Sequence, residues 1–181
     1  MLSADAEGLV SLVWIGRISS QKNFKMFLEL VSVLREQGAL DRACVFGAVD
    51  EDMQSLITDP AFSKSVVEFY GFTRDYADLV PRNSVFCLFS HFEGRPLAIG
   101  DALALGLPVL ASRLPGVAMS VGDGYHLVSD VAEAASACSR LKHVDERARM
   151  VVQQKAFYES ARASSEPASS AQLRVYRESL S

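Results

Sequence analysis

Short apolar runs alternate along most of the chain with longer stretches in which apolar residues recur at helical spacing. This alternation is typical of parallel strands that are joined by helices. The short runs predict strands at 9–15, 43–46, 66–69, 85–89, 109–111 and 126–128. The longer stretches predict helices from 24 to a stop at Gly38, at 52–58, 96–105, 130–142 and 144–162, with at most two helical turns at 76–80. The fold class that follows is α/β, a Rossmann-like parallel sheet sandwiched by helices.

Length and composition favour one compact domain. The 181 residues are 49% hydrophobic, which is enough to fill a single sizeable core. We interpret the acidic and polar residues 1–8 as a linker and 9–162 as the domain itself. The segment 163–181 begins with a Ser- and Ala-rich linker that Pro167 interrupts and ends in a predicted helical tail at 171–180.

Charge and cysteine content narrow the classes of protein. The net charge of -4 gives no general reason to expect nucleic acid as a partner. No apolar run approaches the roughly 20 residues that cross a bilayer, and residues 1–8 do not resemble a signal peptide, so we expect a cytoplasmic protein. Cys44, Cys87 and Cys138 are widely spaced, and the first two lie in apolar runs, which predicts buried free thiols and a reducing compartment.

The first candidate site follows the first predicted strand. Gly16 ends that strand, Arg17 and Lys22 lie five residues apart in the loop, and a helix begins directly afterwards. A helix N-terminus carries partial positive charge and free N–H groups, so two cations beside it form an anion site suited to a diphosphate. The alternative interpretation is that both cations are ordinary solvated loop residues.

The second candidate site follows the fourth predicted strand, in the segment 90–96. Glu93 lies in the turn between strand and helix, and Asp101 is predicted in the second turn of the helix that begins at Pro96, so we expect both carboxylates to face one cleft. Carboxylates accept hydrogen bonds from vicinal hydroxyls of ribose or hexose rings. Gly94 would let the backbone approach a ligand. The alternative is a helix-dipole role for Glu93 and an exposed, inert Asp101.

A third segment combines a helix stop at Gly106, the predicted strand at 109–111 and a tight turn at 114–116. Its simplest role is to end the helix and return the chain to the sheet. None of the three histidines, His91, His126 and His143, has a recognisable catalytic partner, and we expect His91 to be a solvent-facing loop residue. Neither a two-carboxylate hydrolase nor a Ser-His-Asp site is supported.

In chain order, these segments resemble the C-terminal domain of the family 4 glycosyltransferases, which have the GT-B fold. The resemblance covers roughly residues 9–130. The family pattern has a Gly-Arg strand end with a Lys five residues on, a Gly at the second strand, Phe-x-Gly, Ser-x-x-Glu-Gly, an acidic residue eight later, and Gly-x-Pro-Val-x-Ala-Ser. This chain has Gly16-Arg17 with Lys22, Gly47, Phe69-Tyr70-Gly71, Ser90-His91-Phe92-Glu93-Gly94, Asp101, and Gly106-Leu107-Pro108-Val109-Leu110-Ala111-Ser112.

The resemblance implies roles for individual residues. Arg17 and Lys22 would bind the diphosphate of a nucleotide-sugar donor, Glu93 would contact the donor sugar, and Asp101 would bind the ribose. The backbone after Gly47 and Gly71 would cradle the base, and the wider set of donor-binding candidates is Gly16, Gly94, Arg95, Pro96 and Leu97. The chain departs from the family at Asp101, where Glu is usual, at Arg95, where an aromatic residue is usual, and at Gly116, which stands in place of a double glycine.

The resemblance also implies a reaction and a partner. Family members transfer a sugar with retained anomeric configuration, without a bound metal, and hold the donor between two domains. We therefore expect a hexosyltransferase half with no cofactor, whose N-terminal partner domain carries the acceptor site and any peripheral contact with the inner membrane face. The isolated chain should be inactive, with exposed apolar surface beside the cleft. Bacterial surface polysaccharide synthesis is the expected setting. The alternatives are a non-catalytic nucleotide-binding or interaction domain of the same fold and a nucleotide-sugar epimerase half.

Overall fold

A computed structural model describes residues 8–55, 67–73, 75–94 and 96–164. The strands are β1 (Val10–Ile15), β2 (Leu40–Phe46), β3 (Val67–Gly71), β4 (Ser84–Leu88), β5 (Val109–Ser112) and β6 (Leu127–Val128). The helices are α1 (Phe24–Glu36), α2 (Ala98–Ala104), α3 (Pro115–Val121), α4 (Val131–Leu141) and α5 (Val144–Ser164), with 3-10 turns at Glu51–Met53 and Tyr76–Asp78.

The six strands form one parallel sheet in the order β3-β2-β1-β4-β5-β6. This confirms the predicted Rossmann-like architecture. The chain winds outwards from β1 through β2 to β3, then crosses back to β4, which lies on the other side of β1. In open α/β sheets, ligands bind beyond the carboxyl ends of the strands where the winding direction reverses. That point is here the edge between β1 and β4.

The core lies on both faces of the sheet, because neighbouring residues of a strand point to opposite sides. On β4, Val85 and Cys87 pack in the cluster that contains α1 and α4, whereas Phe86 and Leu88 pack with α2 and α3. All four are buried. Strands that are apolar on both faces are typical of a parallel sheet covered by helices.

Helix α5 is attached to the sheet by a polar contact in the core. The side-chain amide of Gln154, 1% exposed, accepts from the backbone N–H of Val109 and donates to its carbonyl, each at 2.8 Å. Strand β6 pairs only with Ala111 and Ser112, so it does not reach Val109. Gln154 therefore replaces the missing strand partner and satisfies two buried backbone groups.

Two local predictions were wrong. The segment at 114–116, predicted as a tight turn, opens helix α3, which Pro115 begins and which buries Val117 and Val121 against the sheet. Helix α2 begins at Ala98 rather than at Pro96, so Asp101 lies in its first turn and not in its second.

The other differences lie at element ends. Strand β2 begins three residues before the prediction, at Leu40, and α5 continues to Ser164, two residues past the predicted end. Of the helix predicted at 52–58, the described part is a 3-10 turn and the helical residues 54–55. The predictions for 1–7, Val66, Arg95 and 165–181 lie outside the described residues. The three cysteines are buried free thiols, as predicted for Cys44 and Cys87.

Candidate functional site

Three glycines stand side by side at the carboxyl edge of the sheet, where β1, β2 and β3 end. The backbone N–H of Gly16 donates to Phe46 at 2.9 Å, and that of Gly47 donates to Gly71 at 2.8 Å. A Cβ atom on Gly47 would lie 2.6 Å from the carbonyl carbon of Gly16 and would overlap its oxygen. Only glycine at position 47 allows these two backbone segments to approach so closely, so the loop that carries Arg17 lies directly against the end of β2.

A cavity of about 230 Å³ opens beside this edge, between the loops that follow β1 and β4. Arg17 and Lys22 line it from the first loop, and Pro96 and Leu97 line it from the second. Its remaining lining residues are Trp14, Ile15, Gly16, Cys87, Leu88 and Ala98. The structure therefore places five of the predicted site residues, Gly16, Arg17, Lys22, Pro96 and Leu97, around one opening at the point where the winding direction reverses.

Arg17 is the more exposed of the two cations. Its side chain is 59% exposed, and its guanidinium lies 3.8 Å from the carboxylate of Asp50. An exposed pair at this separation contributes at most about 1 kcal/mol, because water and salt screen it. Little therefore holds Arg17 away from an anionic ligand.

Lys22 and Glu93 form an ion pair across the two loops, between Nζ and Oε1. The Lys22 side chain is 23% exposed and that of Glu93 is 9% exposed. The hydroxyl of Ser90 donates to the same oxygen, Oε1, at 2.6 Å. Glu93 does not itself line the cavity, and it is joined to it through Lys22.

Two backbone contacts hold the loop that carries Glu93. The N–H of His91 donates to the carbonyl of Gln21 at 2.9 Å, which ties the loops after β1 and β4 together. A Cβ atom on Gly116 would lie 2.5 Å from the carbonyl oxygen of Glu93 and closer still to that of Gly94. Helix α3 therefore packs directly on the backbone of the Glu93 loop, and the side chain of His91 is exposed as predicted.

Asp101 is not among the described residues that line the cavity. Its side chain is exposed and lies near Tyr76, whose pKa is raised first by burial and then by the Asp101 carboxylate. The phenol ring of Tyr76 also packs against Phe46, with ring centroids 5.9 Å apart. Asp101 thus stands beside the ends of β2 and β3, on the side where Gly47 and Gly71 lie.

Sequence reasoning missed three contributors to this region. Trp14 lines the cavity and its indole N–H donates to the Gly16 carbonyl at 3.0 Å. Ser90 belongs to the Ser-x-x-Glu-Gly segment but had no predicted role, although its spacing of three residues from Glu93 is a signal for a local side-chain contact. Tyr76 offered no comparable signal, because its contact with Asp101 depends on how β3 and α2 are placed in space.

The predicted exposed apolar surface is present on the loops at this edge. Phe72, directly after β3, is 77% exposed, and Phe92 and Leu97, after β4, are 64% and 78% exposed. None of the helices in the described part of the chain is long and apolar enough to cross a membrane.

The chain is similar in sequence to known glycosyltransferases. The family model for glycosyl transferases group 1 matches residues 10–143. A curated Haemophilus influenzae protein described as an uncharacterized glycosyltransferase is 28% identical over 109 residues, which are 59% of this chain and 31% of that protein.

Solved structures show the same fold. HepE of Anabaena, in complex with UDP and glucose, matches with a TM-score of 0.70 and 17% identity over 85% of this chain and 44% of its own. The C-terminal domain of the group 1 glycosyl transferase LpcC from Francisella tularensis matches with a TM-score of 0.68 and 18% identity over 83% of this chain and 85% of its own. The chain thus spans less than half of HepE and of the Haemophilus protein, but most of the isolated LpcC domain.

Proposed function

Because the chain belongs to the group 1 glycosyltransferase family, we propose that it is the donor-binding half of a retaining enzyme that transfers a hexose from a nucleoside-diphosphate sugar to a glycan or lipid-linked acceptor. The observation that carries the proposal is the cavity between β1 and β4, which Arg17 and Lys22 both line and which Glu93 adjoins through its ion pair with Lys22. HepE, which has the same fold, binds UDP and glucose.

The diphosphate occupies the Arg17 and Lys22 end of the cavity in this proposal. The 13-residue helix α1 begins at Phe24, so its partial positive charge adds to the two cations. Negative charge grows on the diphosphate as it leaves the sugar. Cations that are already in place when this happens lower the barrier by a few kcal/mol per group, because they need no rearrangement during the reaction.

The sugar and the nucleoside lie on either side of the diphosphate. Glu93 accepts hydrogen bonds from sugar hydroxyls, and Asp101 accepts them from the ribose. The base packs along the backbone beyond Gly47 and Gly71. The position of Asp101 beside the ends of β2 and β3 supports this assignment, because it stands on the same side as those two glycines.

The acceptor is held by a second domain in this proposal. The exposed side chains of Phe72, Phe92 and Leu97 support it, because they give the cleft edge an apolar surface that a neighbouring domain would cover. The isolated chain then binds a nucleoside diphosphate weakly and transfers no sugar. Robust turnover on any glycan acceptor by this chain alone would contradict the proposal that the donor and the acceptor are held by two different domains.

A binding screen tests the donor site directly. Isothermal titration calorimetry with UDP, GDP, ADP and their common sugars should identify one base that this chain binds. Replacing Arg17 and Lys22 together with Ala should abolish that binding. Lys25→Ala is the matched control, because Lys25 is a 72% exposed lysine three residues further on that pairs with Glu29 at 3.9 Å. If the double variant binds as well as Lys25→Ala does, the diphosphate assignment is wrong.

A further inference from the structure

The carboxylate of Glu93 has two described partners, and both are on one oxygen. Lys22 Nζ and the Ser90 hydroxyl contact Oε1, and no described residue forms a hydrogen bond with Oε2. In the proposed function, Lys22 binds the diphosphate of the donor. Once Lys22 turns towards a phosphate, Ser90 is the described partner that remains on Oε1.

Ser90 is well placed to hold the carboxylate by itself. It lies just beyond the end of β4, is 3% exposed, and its hydroxyl is 2.6 Å from Oε1. Its backbone neighbour His91 is fixed to Gln21, and the backbone of Glu93 and Gly94 packs on Gly116. Both ends of this hydrogen bond therefore start from backbone that cannot shift easily. A hydrogen bond to a charged group is also stronger than one between neutral groups.

We propose that Ser90 is a positioning residue that holds Glu93 Oε1, so that Oε2 is presented to the hydroxyls of the donor sugar after Lys22 has engaged the diphosphate. This inference rests on the proposed function. Ser90 does not touch the donor in this arrangement, and it acts only through the orientation of Glu93.

Calorimetry with UDP and UDP-glucose, or with the nucleotide and nucleotide sugar that the screen identifies in their place, measures the effect. In Ser90→Ala, the affinity advantage of UDP-glucose over UDP should shrink by about three- to tenfold, the value of one hydrogen bond. Ser90→Thr keeps the hydroxyl and should restore the advantage. Ser84→Ala is the control, because it removes a fully buried hydroxyl from the other end of the same strand. An unchanged advantage in Ser90→Ala, or a failure of Thr to restore it, would overturn the proposal.

A pair of ligand-free crystal structures provides a readout that needs no donor. In Lys22→Ala, Ser90 is the described partner left on Oε1, so Glu93 should keep its position, whereas in Lys22→Ala/Ser90→Ala it should adopt a different rotamer or more than one. The same single Glu93 rotamer in both variants contradicts the positioning role. If wild-type protein binds no nucleotide in the screen, the proposed function fails, and the Glu93 rotamer still decides whether Ser90 positions it.

Discussion

Replacement of Gly116 by Ala sets two physical effects against each other. Gly116 is in the first turn of α3, and Ala is favoured over Gly inside a helix by up to about 1 kcal/mol. Helix propensity alone therefore predicts a more stable variant. The contact with the Glu93 loop predicts the opposite, because the new Cβ would lie 2.5 Å from the Glu93 carbonyl oxygen and even nearer to that of Gly94.

The unfavourable contact should outweigh the gain in helix propensity. Both neighbouring atoms belong to backbone, which cannot rotate away as the end of a side chain can, so either α3 or the Glu93 loop must move. Overpacking of this kind costs about 1–3 kcal/mol, which exceeds the gain in propensity. For a chain of this length each kcal/mol lowers Tm by about 2–4 °C. We expect a lower Tm for Gly116→Ala and, because Glu93 is displaced, a smaller affinity advantage of a nucleotide sugar over its nucleotide.

Thermal unfolding followed by circular dichroism is the assay, and Gly94→Ala is the control for stability. Gly94 lies in the same contact, but a Cβ on it would meet no atom within 4 Å. Gly94→Ala should therefore unfold within about 2 °C of the wild type, since substitutions without new contacts change stability little. A Gly116→Ala protein with a Tm equal to or above that of the wild type would refute the packing argument.

Two further predictions concern the stability of the domain. Gln154→Ala leaves the buried N–H and carbonyl of Val109 without their side-chain partner, so it should lower the free energy of unfolding, measured in urea, by about 2–4 kcal/mol. Gln153→Ala, at an exposed neighbouring position, should change it by less than about 0.5 kcal/mol, and equal losses in the two variants would contradict the strand-partner role. Burial lowers the pKa of His126 below its ordinary 6.5, so its contribution to stability is present above pH 6.5 and is lost as the pH falls towards the folded value. His126→Gln should flatten the fall in unfolding free energy below pH 6.5, and identical pH profiles would contradict this.

The alternation of apolar runs was enough to predict the fold, because every strand of a covered parallel sheet must be apolar on both faces. It was not enough to predict α3. That helix has seven residues, and it follows a Leu-Pro-Gly segment that is also typical of a turn. The signal was the spacing of Val117, Ser120 and Val121, which all lie on the buried face, together with Pro115 at the start.

The candidate site was predictable to the extent that it depends on strand ends. Lys22 and Glu93 follow β1 and β4, which are neighbours in the sheet, so their loops meet. The expectation that Glu93 and Asp101 face one cleft depended on where the helix begins. In the structure, Asp101 lies in the first turn of α2 and contacts Tyr76. Sequence spacing could not predict this contact, because the two residues belong to separate elements and helix ends are the least certain part of any pattern.

The Lys22–Glu93 pair also determines how the variants of the donor site should be interpreted. Removing Lys22 takes away a diphosphate ligand, but it also leaves a carboxylate that is only 9% exposed without its cation. A charge left unpaired in this way is costly and can rearrange its loop, so lost affinity in Lys22→Ala combines two effects. Removing Arg17 has no comparable second effect, because its side chain is 59% exposed and lies 3.8 Å from the Asp50 carboxylate. Arg17→Ala is therefore the cleaner measure of diphosphate binding, and Lys22 is best assessed in a double-mutant cycle with Glu93→Gln, which removes the unpaired charge.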